Sequence, residues 1–149
     1  MENMNYKFTK IDEYERIKEI LLSCSKCLFN QTLNDEALLC NLANKFYNYG
    51  RVVEITCKNY FMGFVAYYCN DKKSGRAFLS MIAVLEKYQG NGIGKEMLQY
   101  VIDDCKSYGM NRLYLKVNVE NKKAITFYRN NGFTIEDKDG NDYLMYLLL

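Results

Sequence analysis

One stretch constrains the chain more than any other. Arg76-Ala-Phe-Leu-Ser-Met-Ile-Ala-Val84 is an apolar, β-rich run, and Leu-Glu-Lys-Tyr-Gln-Gly-Asn-Gly-Ile-Gly94 follows it directly. Met97, Leu98, Val101, Ile102 and Cys105 then recur at helical spacing. The order is strand, glycine loop, helix. Gly90, Gly92 and Gly94 lack a Cβ, so the loop can take positive φ and let a ligand touch its backbone. The first N–H groups of the helix have no partners within it, and together with the positive end of the helix dipole they form a seat for an anion.

Glycine-rich phosphate loops differ in their spacing. A P-loop needs glycine five residues before its Gly-Lys pair and Ser or Thr after it. Here those positions hold Gln89 and Glu96. The dinucleotide pattern would need a third glycine where Lys95 stands. Both readings fail. What remains, Gln89-Gly-Asn-Gly-Ile-Gly94, matches a Q/R-x-x-G-x-G/A signature. About thirty residues on, Asn121-Lys-Lys-Ala124-Ile-Thr-Phe127-Tyr128-Arg-Asn-Asn-Gly132-Phe133 has an asparagine opening a helix that closes in F-Y-x-x-x-G-F. Taken together, the two motifs resemble those of the GCN5-related N-acetyltransferase (GNAT) family.

The resemblance implies an α/β fold with a mixed, mostly antiparallel sheet splayed at its centre and flanked by helices. It also implies an enzyme that uses acetyl-CoA as cosubstrate and acetylates an amine directly in a ternary complex. On that pattern the pyrophosphate falls to Gln89, Gly90, Asn91, Gly92, Ile93, Gly94 and Lys95. The backbone of Ile82 and Val84 would bond the pantetheine arm as a strand bonds its neighbour, Ala83 between them counts among the coenzyme-binding residues, and Asn121 and Ala124 contact the coenzyme from the second motif. Tyr128 occupies the position of the general acid. Where many relatives carry a glutamate on the central strand, this chain has Ser80. No base is therefore named, and proton removal would pass through water ordered by Ser80, Tyr67 or a terminal carboxylate. A lysine-like amine of pKa about 10.4 is deprotonated by less than about one part in a thousand at pH 7, so an amine of lower pKa, such as an amino sugar, suits this site better. A non-catalytic acyl-CoA-binding regulatory or interaction module is the alternative.

Composition narrows the class further. A chain of 149 residues, 49% hydrophobic and 26% charged, has room for one core and one N-acetyltransferase domain. Its net charge of +2 and scattered lysines argue against nucleic acid. No stretch is long or apolar enough for a membrane, and Met-Glu-Asn-Met-Asn lacks a basic-then-apolar pattern, so a cytoplasmic protein, monomer or homodimer, is expected. The sequence has no histidine, and its six cysteines lie within apolar patterns. That favours buried thiols over disulfides, and no metal site is expected.

Periodicity supplies the remaining elements. Asn5 to Thr9 reads as an edge strand. Asp12 and Glu15 suggest a capping box for a helix from Glu13 to about Phe29. A second helix, from roughly Asp35 to Tyr47, is expected to bury Leu38, Leu39, Leu42 and Phe46. The connector Phe29 to Asn34 would overhang the acceptor. Arg51 to Lys58 and Tyr60 to Tyr68 read as a hairpin. Gly109 marks a helix end, and Arg112 to Val119 a strand. Phe133 to Glu136 and Tyr143 to Leu149 read as a closing pair around a turn at Asp137 to Asp142.

Overall fold

The computed structural model describes residues 5–25 and 35–149. Its elements are β1 (Lys7–Ile11), α1 (Tyr14–Ser23), α2 (Glu36–Tyr49), β2 (Arg51–Cys57), β3 (Tyr60–Asp71), β4 (Arg76–Val84), α3 (Ile93–Ser107), β5 (Arg112–Asn118), α4 (Lys122–Asn130), β6 (Thr134–Asp139) and β7 (Asp142–Leu148). One sheet of seven strands runs β1-β2-β3-β4-β5-β7-β6. Every neighbouring pair is antiparallel except β4 and β5, which run parallel and are joined through α3. This is the mixed α/β sheet expected from the sequence.

Alternation along the strands divides the interior into two layers. On one side α3 and α4 cover the sheet, with Met97, Leu98, Val101 and Ile125 packed against Val65, Leu79, Leu115 and Met145. On the other side α1 and α2 pack Ile17, Ile20, Leu21, Leu39 and Phe46 against Val52, Phe64, Ala66 and Ala83. That second cluster ends at β4, and none of its buried residues comes from β5, β6 or β7.

Several expectations shift. β1 stays paired with β2 as far as Ile11, so the chain leaves the sheet late. Glu13 is then the N-cap of α1, and it makes no side-chain capping bond, in place of the expected Asp12 box. The part of the expected helix beyond Ser25, with Leu28 and the connector Phe29 to Asn34, lies outside the described residues. In α2 the buried row is Leu39, Ala43 and Phe46, which leaves Leu38 half exposed. Asp137 to Asp139 pair with β7, so the last turn contracts to Gly140-Asn141. Their charges hid the strand because β6 is a sheet edge, where charged residues guard against pairing with other chains. Cys24, Cys57, Cys69 and Cys105 are buried and Cys40 is partly so, while Cys27 is outside the described residues.

One glycine has a purely steric reason. A Cβ at Gly63 would run into the Ala83 carbonyl oxygen and come within 3.0 Å of Val84 Cα, so β3 and β4 meet there as backbone on backbone. Gly63→Ala must push the strands apart, and overpacking of this kind costs about 1 to 3 kcal/mol. The expected result is a Tm lowered by roughly 3 to 10 °C in a chain of this size, read by thermal melting.

Candidate active site

The site begins where the sheet opens. β4 pairs with β5 only from Arg76 to Leu79, opposite Arg112 to Leu115. Its pairing with β3 continues to Val84 opposite Gly63. From Ser80 onward the edge of β4 that faces β5 therefore has no strand beside it among the described residues. The divergence starts at an irregularity: Leu79 is opposite Tyr67 and Met81 is opposite Ala66, which leaves Ser80 as the extra residue of a bulge. Bulges bend a strand and re-aim its side chains.

Backbone polarity along this edge follows from two bonds. Leu85 N–H donates to Met62 O at 2.8 Å, toward β3. Because successive residues of a strand point their polar groups to opposite sides, Val84 and Ile82 direct theirs into the opening and Ala83 directs its own toward β3. Gln89 Nε2, donating to Val84 O at 2.9 Å, bears this out and ties the loop to the strand end. Ala83, expected with them among the coenzyme-binding residues, turns its backbone away from the opening. Its carbonyl faces Gly63, and its side chain is buried beneath α1 and α2.

The loop continues through a single helical turn at Glu86–Tyr88, with Glu86 exposed, into Gly90 and Gly92 at φ 83° and 79°. Gly92 is the N-cap of α3 in the left-handed conformation. The first helical bond runs from Glu96 N–H to Gly92 O at 3.2 Å, so the N–H groups of Ile93, Gly94 and Lys95 have no acceptor inside the helix. The Ile93 side chain is buried in the core, so this residue can offer a ligand only its backbone. Asn91 donates to Tyr88 O at 3.3 Å and shapes the turn. Lys95 is exposed. An anion would meet three N–H groups, the helix dipole and one lysine.

The second motif lies against the first. A Cβ at Gly94 would sit 3.5 Å from the Phe127 ring, an ordinary contact that measures how closely α3 and α4 approach. Asn121 caps α4 by accepting from Ala124 N–H at 3.3 Å, and this holds its side-chain oxygen at the helix end. Tyr128 is buried between Phe127 and Phe133, with ring centroids 5.4 and 5.6 Å away. Ile82 and Val84 pack against the same cluster. Burial raises the Tyr128 pKa to about 12, with neither a charge nor a hydrogen bond contributing.

Tyr67, considered from sequence as an organiser of water, serves elsewhere. Its hydroxyl donates to Asp104 Oδ2 at 2.6 Å, and the same carboxylate accepts from Arg51 at 3.1 Å and Lys10 at 3.4 Å. Burial and this bond hold the Tyr67 hydroxyl protonated far above the usual tyrosine range. The network joins β1, β2 and β3 to α3, and nothing in the periodicity of Asp104 announced it. The Ser80 bulge was equally invisible. Gly63 did carry a signal, since glycine inside an apolar strand marks a bulge or a close backbone approach.

The raised tyrosines have a consequence at high pH. Tyr128 ionises near 10 when unfolded and near 12 when folded, so its contribution is complete below pH 10 and is lost as pH rises through 12. Between those limits it amounts to about 1.4 kcal/mol per pH unit. Thermal melts from pH 8 to 11 are expected to turn downward above pH 10, and less steeply in Tyr128→Phe.

A sheet opened between two parallel strands, with a glycine loop and a free helix N-terminus directly after one of them, defines a class of proteins that seat an extended ligand ending in an anion. Residues 14–133 match the Acetyltransferase (GNAT) family, and the chain belongs to it. Over 78 residues it is 37% identical to the spermine/spermidine N(1)-acetyltransferase of Bacillus subtilis (strain 168), covering 48% of this chain and 51% of that protein. Over 57 residues it is 39% identical to the [ribosomal protein bS18]-alanine N-acetyltransferase of Escherichia coli (strain K12), covering 38% of each. The chain thus spans about half, or less, of the length of these curated relatives. An acetyltransferase from Thermus thermophilus superposes over the whole of both chains with TM-score 0.82 at 18% identity. The PaiA N-acetyltransferase of Thermoplasma acidophilum, solved in complex with coenzyme A, covers 96% of this chain and 99% of its own with TM-score 0.73 at 19% identity. At such identities the likeness establishes the fold alone.

Proposed function

We propose that this chain binds acetyl-CoA and transfers its acetyl group to the amine of a small polar acceptor, an amino sugar or nucleotide-linked amino sugar, by direct attack. The observation that carries the reading is the unpaired edge of β4 at Ile82 and Val84, leading straight into the N-terminus of α3. When bound, the coenzyme supplies an already activated acyl group as a thioester. The chain has the rest to do.

Ile82 and Val84 bond the extended arm through their backbone and hold it as a neighbouring strand would be held. The N–H groups of Ile93, Gly94 and Lys95, with Gln89, Gly90, Asn91 and Gly92 shaping the loop, take the pyrophosphate. Asn121 and Ala124 line the same channel from α4. Tyr128 donates its hydroxyl proton toward the departing sulfur. Ser80, at the bulge, orients the incoming amine or a water beside it. No carboxylate lies on β4, so the amine must arrive largely neutral, which favours an acceptor of low pKa.

Two measurements test the reading. Calorimetry should detect coenzyme A binding, and thiol release from acetyl-CoA should follow when amino sugars are added. Acetylation of basic peptides or spermidine with no activity on any amino sugar would defeat the acceptor assignment. Tight coenzyme binding with no turnover on any amine would favour a non-catalytic binding module.

A further inference from the structure

The two faces of the opening are not equivalent. On one side α3 and α4 fill the space with core, including Met97, Ile125 and Tyr128. On the other, the buried cluster under α1 and α2 takes no residue from β5, β6 or β7 among the described residues, although Tyr114 of β5 is itself buried. The amine is taken to approach from this second side. The register sets what it meets there. Arg76 is opposite Arg112 and Phe78 opposite Tyr114 on β4 and β5, with Leu148 and Tyr146 continuing the rows on β7.

Two arginines directly opposite one another repel, and such pairs destabilise a sheet unless an anion joins them. Little here does so. Arg76 lies over the Tyr114 ring at 5.6 Å, and no carboxylate is within ion-pair distance of it among the described residues. Its partner across β3 is Asp71, whose carboxylate accepts from the Ser74 hydroxyl at 2.6 Å and the Ser74 amide at 3.1 Å and interacts with the Arg76 charge from beyond ion-pair distance. Arg112 donates to the Tyr114 hydroxyl at 3.2 Å and lies over the Tyr146 ring at 5.1 Å, with Glu136 at the outer limit of an ion pair, 3.9 Å. Two guanidiniums on neighbouring strands touch the same tyrosine, one with Glu136 at the outer limit of an ion pair and the other near Asp71 without an ion pair, and such a pair suits a multiply charged oxyanion.

Resting on the acetyltransferase reading above, we propose that the acceptor amine carries a phosphate, held by Arg76 and Arg112 on this sheet face while the amine reaches Ser80. Arg76 and Ser80 are four residues apart, about 13 Å along the strand. A free amino acid, whose amine and carboxylate share one carbon, cannot span that distance. A polyamine would bring positive charge to two arginines. A sugar phosphate or nucleoside-diphosphate-linked amino sugar has the charge, and the longer of the two has the reach.

The test measures kcat/KM with acetyl-CoA for an amino sugar, its phosphate ester, a nucleoside-diphosphate-linked amino sugar, spermidine and an N-terminal peptide. Wild type should favour a phosphate-bearing amine over the bare amino sugar by about tenfold or more. Arg76→Ala should shrink that preference through KM rather than kcat, and Arg76→Glu should reverse it. Circular dichroism and melting verify that each variant is folded, and Arg76 is exposed. The diphosphate and monoester arms show which source of phosphate fits. If the bare amino sugar, spermidine or the peptide is the best acceptor, or if the phosphate preference survives Arg76→Glu, the proposal is overturned and the acetyltransferase reading stands. If no amine of any class is acetylated, both fall.

Discussion

Tyr128→Phe is expected to lower kcat and kcat/KM together while leaving coenzyme affinity unchanged, because the substitution removes a proton that matters only as the sulfur departs. General acid assistance is worth about 10² to 10⁴ in rate. Burial raises the Tyr128 pKa, which keeps the hydroxyl protonated and able to donate at neutral pH, and a loss within that range is expected. The ring, packed between Phe127 and Phe133, stays in place in the variant. Steady-state kinetics with parallel melting checks this. A kcat within about threefold of wild type would make Tyr128 a core residue and nothing more.

Gly92→Val should abolish measurable coenzyme binding while the fold survives. A Cβ at Gly92 meets open space, so no core atom resists it. The backbone does resist, because φ of 79° is left-handed and a β-branched residue adopts it at a penalty of roughly 1 to 3 kcal/mol. Valine relieves that strain by rotating the N-cap, and the N–H groups of Ile93, Gly94 and Lys95 then turn away from the position they share. Calorimetry on the folded variant should show affinity reduced by at least about 100-fold. Unchanged affinity would mean that the pyrophosphate binds elsewhere.

The sequence made the site's frame legible because glycine and asparagine are punctuation with a physical meaning. Gly92 is at the αL position and Asn121 at the cap, where loop and helix signals had put them. What could not be read were features set by partners distant in the chain. The Ser80 bulge exists only relative to Tyr67 and Ala66 on β3, and Ala83 turns away from the opening only because of the register fixed there. Asp104 collects Tyr67, Arg51 and Lys10 across gaps of 37, 53 and 94 residues. Helical periodicity saw it merely as one polar position on α3. The second half of the edge strand β6, Asp137 to Asp139, was missed for the opposite reason: its sequence is shaped by what it must avoid pairing with, and so it reads as a turn.

The short ladder between β4 and β5 also sets how the molecule yields. Apart from the α3 crossover and the bonds of the Asn111 and Arg112 amides to the Gly75 carbonyl, it is the backbone link between the sheet half bearing α1 and α2 and the half formed by β5, β7 and β6 among the described residues. The core under α3 and α4 straddles this seam on one side, and on the other side no buried cluster of the described residues crosses it. A sheet stitched over four residues and open above them is the seam at which the two halves are expected to part first. Pulled apart, it should tear there before any antiparallel pair gives way. A ligand bonded along the opening would act as a splint, stiffening both halves at once and slowing amide exchange at Arg76 to Leu79 as well as at the edge it touches.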